Sequence, residues 1–286
     1  MKNLLCLLFL SVIHYSASAQ LRANFMTGMA NYKGDLQQKE ITLQNSKHVY
    51  TIGASYNITG HLSVRAELSI TKLEGQDKDN DDDALKNRNL SFKTNLSETA
   101  LMLEYDLFDL DNYKFTPYFF GGISSFKFNP YTIDTVGEKL YLQPLSTEGQ
   151  GLAQYPDRNN YKLSQFSIPF GAGIKYAVSD YVWIGAEFGT RKCFTDYLDD
   201  VSKTYVDQHI LFHERGATSV AYAYRGDEVK SNPSATYPAG GIQRGNPLLN
   251  DNYYFGEVRL SIRLPWFEAG NFEGRASRKR YACPRF

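Results

Sequence analysis

The chain has 286 residues and carries 31 Lys and Arg against 31 Asp and Glu, so its formal net charge is zero and nothing points to a nucleic-acid partner. Aromatic residues are abundant, with 21 Tyr and 18 Phe, although mean hydropathy is negative. Beyond residue 19 no run approaches the ~18 apolar residues of a helical span, and no linker or internal repeat divides the chain, so one domain is expected.

Residues 1–19 combine Lys2, an apolar run over 4–13 and the small triplet Ala17-Ser18-Ala19. This reads as a secretory signal peptide; Gln20 rather than Cys follows the cut, which argues against a lipoprotein. From residue 20 onward, eight segments with period-2 alternation follow one another. The second sets Tyr50, Ile52, Ala54, Tyr56 and Ile58 against Thr51, Gly53, Ser55 and Asn57. The third sets Leu62, Val64, Ala66, Leu68 and Ile70 against Ser63, Arg65, Glu67, Ser69 and Thr71. In the sixth, Phe166, Ile168, Phe170, Ile174 and Tyr176 alternate with Ser167, Gly171, Gly173 and Lys175; in the last, Val258, Leu260 and Ile262 alternate with Glu257, Arg259, Ser261 and Arg263. Alternation alone describes any half-exposed strand. Several runs, however, reach about 11 to 14 residues, longer than the ~5–6 of soluble strands and suited to a tilted membrane crossing.

The connections alternate strictly. Those over residues 33–47, 74–88, 129–161 and 194–250 are long and polar, whereas 57–61, 108–113 and 178–180 are short. A soluble sandwich has no reason to gather its long loops at one end; an outer-membrane barrel does. The expected fold is therefore all-β: an eight-stranded antiparallel transmembrane β-barrel over 20–267, with long extracellular loops and a short periplasmic tail over 268–286. Its polar face carries Arg65, Glu67, Glu104, Lys175, Glu187, Glu257, Arg259 and Arg263. An eight-stranded barrel is filled by side chains, and isolated buried charge is costly. These residues are expected to form interior ion pairs, with a proton or ion pathway as the lesser reading. Tyr118, Phe119, Phe120, Tyr253 and Tyr254 are expected in the interfacial girdles, as is Trp266-Phe267. Pro117 and Pro169 should bring bulges, because each removes a ladder hydrogen bond.

Enzymatic signals are weak. His209 and His213 lie four apart beside Glu214, but no HExxH pattern is present, and chance spacing in a loop explains them better than a metal site. The acidic run 77–83 begins like a calcium loop, yet Asp82 stands where Gly is needed and Arg88 where Glu is needed, so a solvated loop is expected. A short helix is expected near residues 197–205. No serine carries a nucleophile motif, and no cofactor or catalytic residue is expected. Cys193, at the extracellular rim, and Cys283, in the tail, lie a bilayer apart, too far to pair. The tail carries Arg275, Arg278, Lys279, Arg280 and Arg285 with no acid after residue 273. It reads either as a basic end near anionic headgroups or as a docking peptide. In the second reading Tyr281, Pro284 and Phe286 anchor it, and Cys283 offers an intermolecular disulfide.

Several motifs together resemble the PorG-type outer-membrane barrels of Bacteroidota over nearly the whole mature chain. They are Asn31-Tyr32-Lys33-Gly34-Asp35-Leu36, Arg88-Asn89-Leu90-Ser91-Phe92, Phe115 through Gly122, Leu142 through Gly151, Phe194 through Ser202, Arg244-Gly245-Asn246-Pro247 and the end Cys283-Pro284-Arg285-Phe286. The resemblance implies a part in the type IX secretion system, the barrel fixing a periplasmic ring to the outer membrane. The implied partners are the ring lipoprotein and its ring partner, beside outer-membrane lipid and lipopolysaccharide. The resemblance brings no catalytic residues. A small diffusion channel or ligand-binding surface barrel is the alternative, and a lipid-modifying enzyme a third, which would need a Ser, a His and an acid at one rim.

Overall fold

A computed structural model describes residues 20–110, 112–134 and 136–265; the signal peptide, Trp266-Phe267 and the tail lie outside the described residues. Ten strands occur in chain order: β1 (Gln20–Lys33), β2 (Lys47–Asn57), β3 (Leu62–Gln76), β4 (Ser91–Asp106), β5 (Phe115–Lys127), β6 (Tyr131–Ile133), β7 (Lys139–Tyr141), β8 (Ser164–Ala177), β9 (Val182–Cys193) and β10 (Asn252–Arg263). Three short helices, α1 (Asp83–Arg88), α2 (Gln208–Arg215) and α3 (Ala217–Ala223), lie in the long connections. No helix stands at 197–205, where the sequence suggested one. That segment instead spends its backbone and side-chain groups on long-range partners described below.

Eight long strands run antiparallel in the order β3-β2-β1-β10-β9-β8-β5-β4, and a β3–β4 ladder from Leu62↔Tyr105 to Gln76↔Ser91 closes the sheet into a barrel. β6 and β7 form a hairpin that extends β4 at Lys93↔Tyr131. All long connections leave one end and all short turns the other. The first residues of β1 pair with the last of β10, Arg22 opposite Arg263, so the chain enters and leaves the barrel at the short-turn end.

The two prolines change the ladder differently from expectation. Register is continuous through both, with no inserted residue. At Pro169 the β5–β8 ladder skips the Gly122 and Ile123 rungs and resumes at Ser124↔Ser167. At Pro117 the missing N–H falls by the turn, where Leu107 N–H still donates to the Pro117 carbonyl at 3.0 Å and Phe108 N–H donates to Thr116 Oγ1 at 2.8 Å.

Side-chain parity sorts the barrel inside out. Phe25, Ile52, Leu68, Ile70, Leu101, Leu103, Phe119, Ile123, Phe166 and Val258 point outward and are exposed, while Arg65, Glu67, Glu98, Glu104, Lys175, Glu187, Arg191 and Arg259 point inward and are buried. A continuous apolar band of that size is untenable in water; around a polar interior it is the surface of a transmembrane barrel. No helix among the described residues is long and apolar enough to cross a membrane, so crossing falls to the strands. The girdle expectation needs correction. Phe119 faces outward, but Tyr118, Phe120 and Tyr253 are inside the barrel, and Tyr254 is covered because its hydroxyl bonds Thr42. Parity, not aromatic character, decides which face a ring takes.

If lipid bathes this band, Leu101→Arg should cost about 2–4 kcal/mol of folding free energy in bilayers. Folding titrations in lipid vesicles measure it, and an unchanged midpoint would mean that water wets that face.

Candidate functional site: the plugged barrel and its cap

Within the barrel, β3, β4, β8, β9 and β10 turn charged side chains toward one another, and β5 adds Tyr118. The Arg65 guanidinium donates from Nη1 to Glu104 Oε2 at 3.0 Å and to Glu187 Oε2 at 2.7 Å, and from Nη2 to Glu187 Oε1 at 3.0 Å. Its Nε lies 2.9 Å from Glu67 Oε1, a charge contact without hydrogen-bond geometry. Glu104 takes two further cations: Arg259 Nη1 at 2.7 Å, and Lys175, whose ammonium also donates to Asp106 Oδ1 at 2.7 Å. Tyr118 donates to Glu187 Oε2 at 2.6 Å. One carboxylate thus serves three cations, and one guanidinium three carboxylates. Such sharing is how charge survives where water is excluded.

The remaining interior residues named from sequence stand differently. Glu257 faces inward, but its carboxylate is held by Thr51 Oγ1 at 2.8 Å rather than by a cation within ion-pair distance. Arg263 sits half-buried at the short-turn rim across from Arg22. Several members were missed. Glu98 accepts from Tyr253 and, at 3.4 Å, from Arg191, whose guanidinium lies 3.8 Å over Phe255. Arg22 stacks 3.1 Å over Trp183, and Asp106 completes the Lys175 site. Strand parity carried forward from Glu104 and Glu187 would have found Glu98, Asp106 and Arg191.

At the long-loop end the connections fold into a cap. Its hub is residues 195–202. Asp200 accepts the hydroxyls of Thr147 at 2.6 Å and Tyr161 at 2.7 Å, and its carbonyl accepts Arg244 Nη1 at 2.7 Å. Arg244 also donates to Glu148 Oε1 at 3.0 Å, while the Glu148 carboxylate accepts the N–H groups of Ser202 and Lys203. Tyr32, at the top of β1, donates to Asp199 and faces Asp251 Oδ1 at 3.3 Å; Asp251 in turn accepts Leu198 N–H at 2.8 Å. Asp35 accepts Asn246 N–H on both oxygens at 3.0 Å. Two glycines are required by close approach: a Cβ on Gly34 would collide with Tyr32 and Asp251, and one on Gly245 would sit 2.6 Å from Ser202 N. Segments 31–36, 88–92, 142–151, 194–202 and 244–247, far apart in sequence, therefore meet in one cluster.

The acidic run 77–83 is only partly solvated. Asp77 is fully buried, accepting Arg88 Nε at 2.7 Å and Nη2 at 2.6 Å and Leu90 N–H at 2.8 Å, and Asp82 caps α1 by accepting Ala84 N–H. The buried Asp77 ties α1 into the cap, which is what the loop's polarity had hidden. His209 and His213 lie on α2, His213 largely in solvent; among the described residues no three His, Cys, Asp or Glu side chains group to hold a metal ion. Cys193 is fully buried at the end of β9, packed as a core residue.

Burial also sets the protonation of the cap. Asp200 is pushed up to about 6 by burial, with Arg244, Thr147 and Tyr161 opposing the shift. Asp196 is pushed up to about 8 by burial, with Ser202 opposing the shift. Asp199 and Asp251 are raised by burial first and by neighbouring carboxylates second.

Two outcomes are expected. Arg65→Met leaves Glu67, Glu104 and Glu187 short of a shared cation and should cost about 3–5 kcal/mol, read from urea unfolding in detergent; a loss below ~1 kcal/mol would deny the network its role. The folded cap holds protons on Asp196 and Asp200 more tightly than the unfolded chain does, since ordinary carboxyls titrate near ~4. Stability should therefore fall as pH rises from ~4 to about 8. Near-UV circular dichroism melts of the tyrosine-rich cap should shift downward between those limits, and Asp196→Asn should flatten the slope; an upward shift with pH contradicts the assignment.

The chain is similar to solved structures of several outer-membrane and surface proteins. The attachment invasion locus protein of Yersinia pestis is 8% identical, over 86% of this chain and 99% of that one, at a TM-score of 0.41. Neisserial surface protein A is 9% identical over 85% and 97%, at 0.42, and OprG of Pseudomonas aeruginosa 9% over 87% and 96%, at 0.38. Likenesses at this level add nothing to the ladders described above. No curated protein matches the sequence. The family model described as Domain of unknown function (DUF6089) matches residues 2–222, and the chain belongs to that family.

Proposed function

We propose that this protein is a non-enzymatic outer-membrane barrel that anchors the periplasmic ring complex of the type IX secretion system. The observation that carries the reading is the sealed bore. A shared ion-pair network crosses it and a folded cap covers its long-loop end, which leaves the outer wall and the short-turn end as working surfaces. A signal peptide, an outward apolar band and long loops at one end support insertion in the outer membrane with the short turns toward the periplasm. Because β10 ends at the short-turn end, residues 268–286 would issue there. In that compartment a cationic tail ending in Tyr281, Cys283, Pro284 and Phe286 is placed to be gripped by a ring lipoprotein and its partner, with Cys283 as the disulfide candidate. The motifs of the PorG resemblance that form the cap support the same family of roles.

Deleting residues 274–286 should abolish co-purification of ring components from crosslinked native membranes while the barrel still inserts, and Cys283→Ser should remove any reducible adduct on non-reducing gels. Ring components retained in full by the truncated chain would sink the tail-docking reading. Planar-bilayer conductance well above background would favour a diffusion channel instead.

A further inference from the structure

Along one arc of the outer wall the apolar band stops short of the long-loop rim. Tyr50, Ile52, Leu68 and Ile70 give way to His48, Lys72, Asn95 and Lys127, all exposed and outward, with Lys47 and Lys93 at the edge. The ladders set them side by side. Tyr50 pairs with Ile70, Lys72 with Asn95 and Ser97 with Lys127. Two strand spacings, roughly 10 Å, separate the backbones that carry Lys72 and Lys127. Among these side chains runs a groove of about 760 Å³, and no carboxylate is among its lining residues. Lys47 and Lys93 share Glu74, at 2.6 and 3.8 Å. The side chains of Lys72 and Lys127 enter no hydrogen bond or ion pair with any described residue.

Two ammonium groups without a partner in the chain, directly above an apolar band, sit at the depth where lipid headgroups begin and favour an anion there. Four lysines against one carboxylate leave this arc with a surplus of three positive charges. A single phosphodiester is too small to engage cations spread over three strands. A headgroup with two phosphates on a sugar frame reaches both, and Asn95, Ser97 and Asn129 offer amides and a hydroxyl for its polar groups. We propose that this arc binds one phosphorylated glycolipid of the outer leaflet, of the lipopolysaccharide class. Its phosphates lie on Lys72 and Lys127 and its acyl chains along Tyr50, Ile52, Leu68 and Ile70. The inference rests on the orientation given under the proposed function, with the long loops outside, but not on the ring-anchoring role.

The full mature chain, refolded in detergent micelles, is first checked for the heat-modifiable gel mobility of a folded barrel. It is then titrated by native mass spectrometry with bisphosphorylated lipid A, dephosphorylated lipid A, phosphatidylglycerol and inorganic pyrophosphate. Bisphosphorylated lipid A should bind at least about 10-fold more tightly than the other three. The Lys72→Ala/Lys127→Ala variant should keep its mobility and lose about 10-fold or more of that affinity, given the strength of lysine contacts at an anionic surface. Equal binding by the variant, equal affinity for phosphatidylglycerol, or equal affinity for free pyrophosphate would overturn the glycolipid site. A chain with no folded, heat-modifiable form would overturn the membrane orientation and this site with it, whereas a folded chain without lipid A preference overturns this site alone.

Discussion

Closure of the sheet by the β3–β4 ladder is the constraint on which the rest of the molecule depends. With those rungs made, each barrel strand has a neighbour on both sides and no edge is left to seek hydrogen bonds in a medium that offers none. Closure also creates a tube too narrow for bulk water and too polar to be left unfilled. Every inward side chain must then find its partner across the bore. Glu104 answers that demand by taking Arg65, Lys175 and Arg259 at once, so none of the four is buried alone. The cost of ionic burial is met by sharing rather than by simple pairs.

The cap extends this logic beyond the membrane. A plugged bore leaves a mouth that must be covered by chain rather than by water, and the long connections supply it. Their backbone N–H groups are satisfied by side-chain carboxylates: those of Ser202 and Lys203 by Glu148, that of Leu198 by Asp251 and that of Asn246 by Asp35. Burial raises the pKa of the cap acids, to about 8 at Asp196 and about 6 at Asp200. Charge is therefore handled in three ways in one chain. It is shared in the bore, paired with Arg244 or shifted toward higher pKa by burial in the cap, and left cationic on the outer rim.

This division bears on function. A bore filled by Arg65, Glu187, Tyr118 and Trp183 offers no route for a folded cargo. What remains are surfaces: a lipid-facing wall with an abrupt cationic margin, and a short-turn end where the chain both enters and leaves. An anchoring role uses both, the wall to hold the bilayer and the end to hold a partner.

The eight barrel strands and the polarity of each face were legible in the sequence, because alternation in β3, β8 and β10 is a local property that any register preserves; the short β6–β7 hairpin within 129–161 was not. The alternation of long and short connections was equally local. Which charges meet was not. Glu104 lies 39, 71 and 155 residues from Arg65, Lys175 and Arg259, and only closure and the stagger of the ladders bring them together. The same limit explains the misplaced rings, since Tyr118 and Phe119 differ in face by one step of the pleat and not in chemistry. It explains Asp77 too, which looked like surface in a run of acids until Arg88 folded over it. Local periodicity thus determined that this chain becomes a barrel with a polar interior. The partners inside that barrel, and the assembly of distant polar loops into a single cap, were decided only by tertiary structure, because contacts across a closed bore depend on shear and closure that no stretch of sequence carries alone.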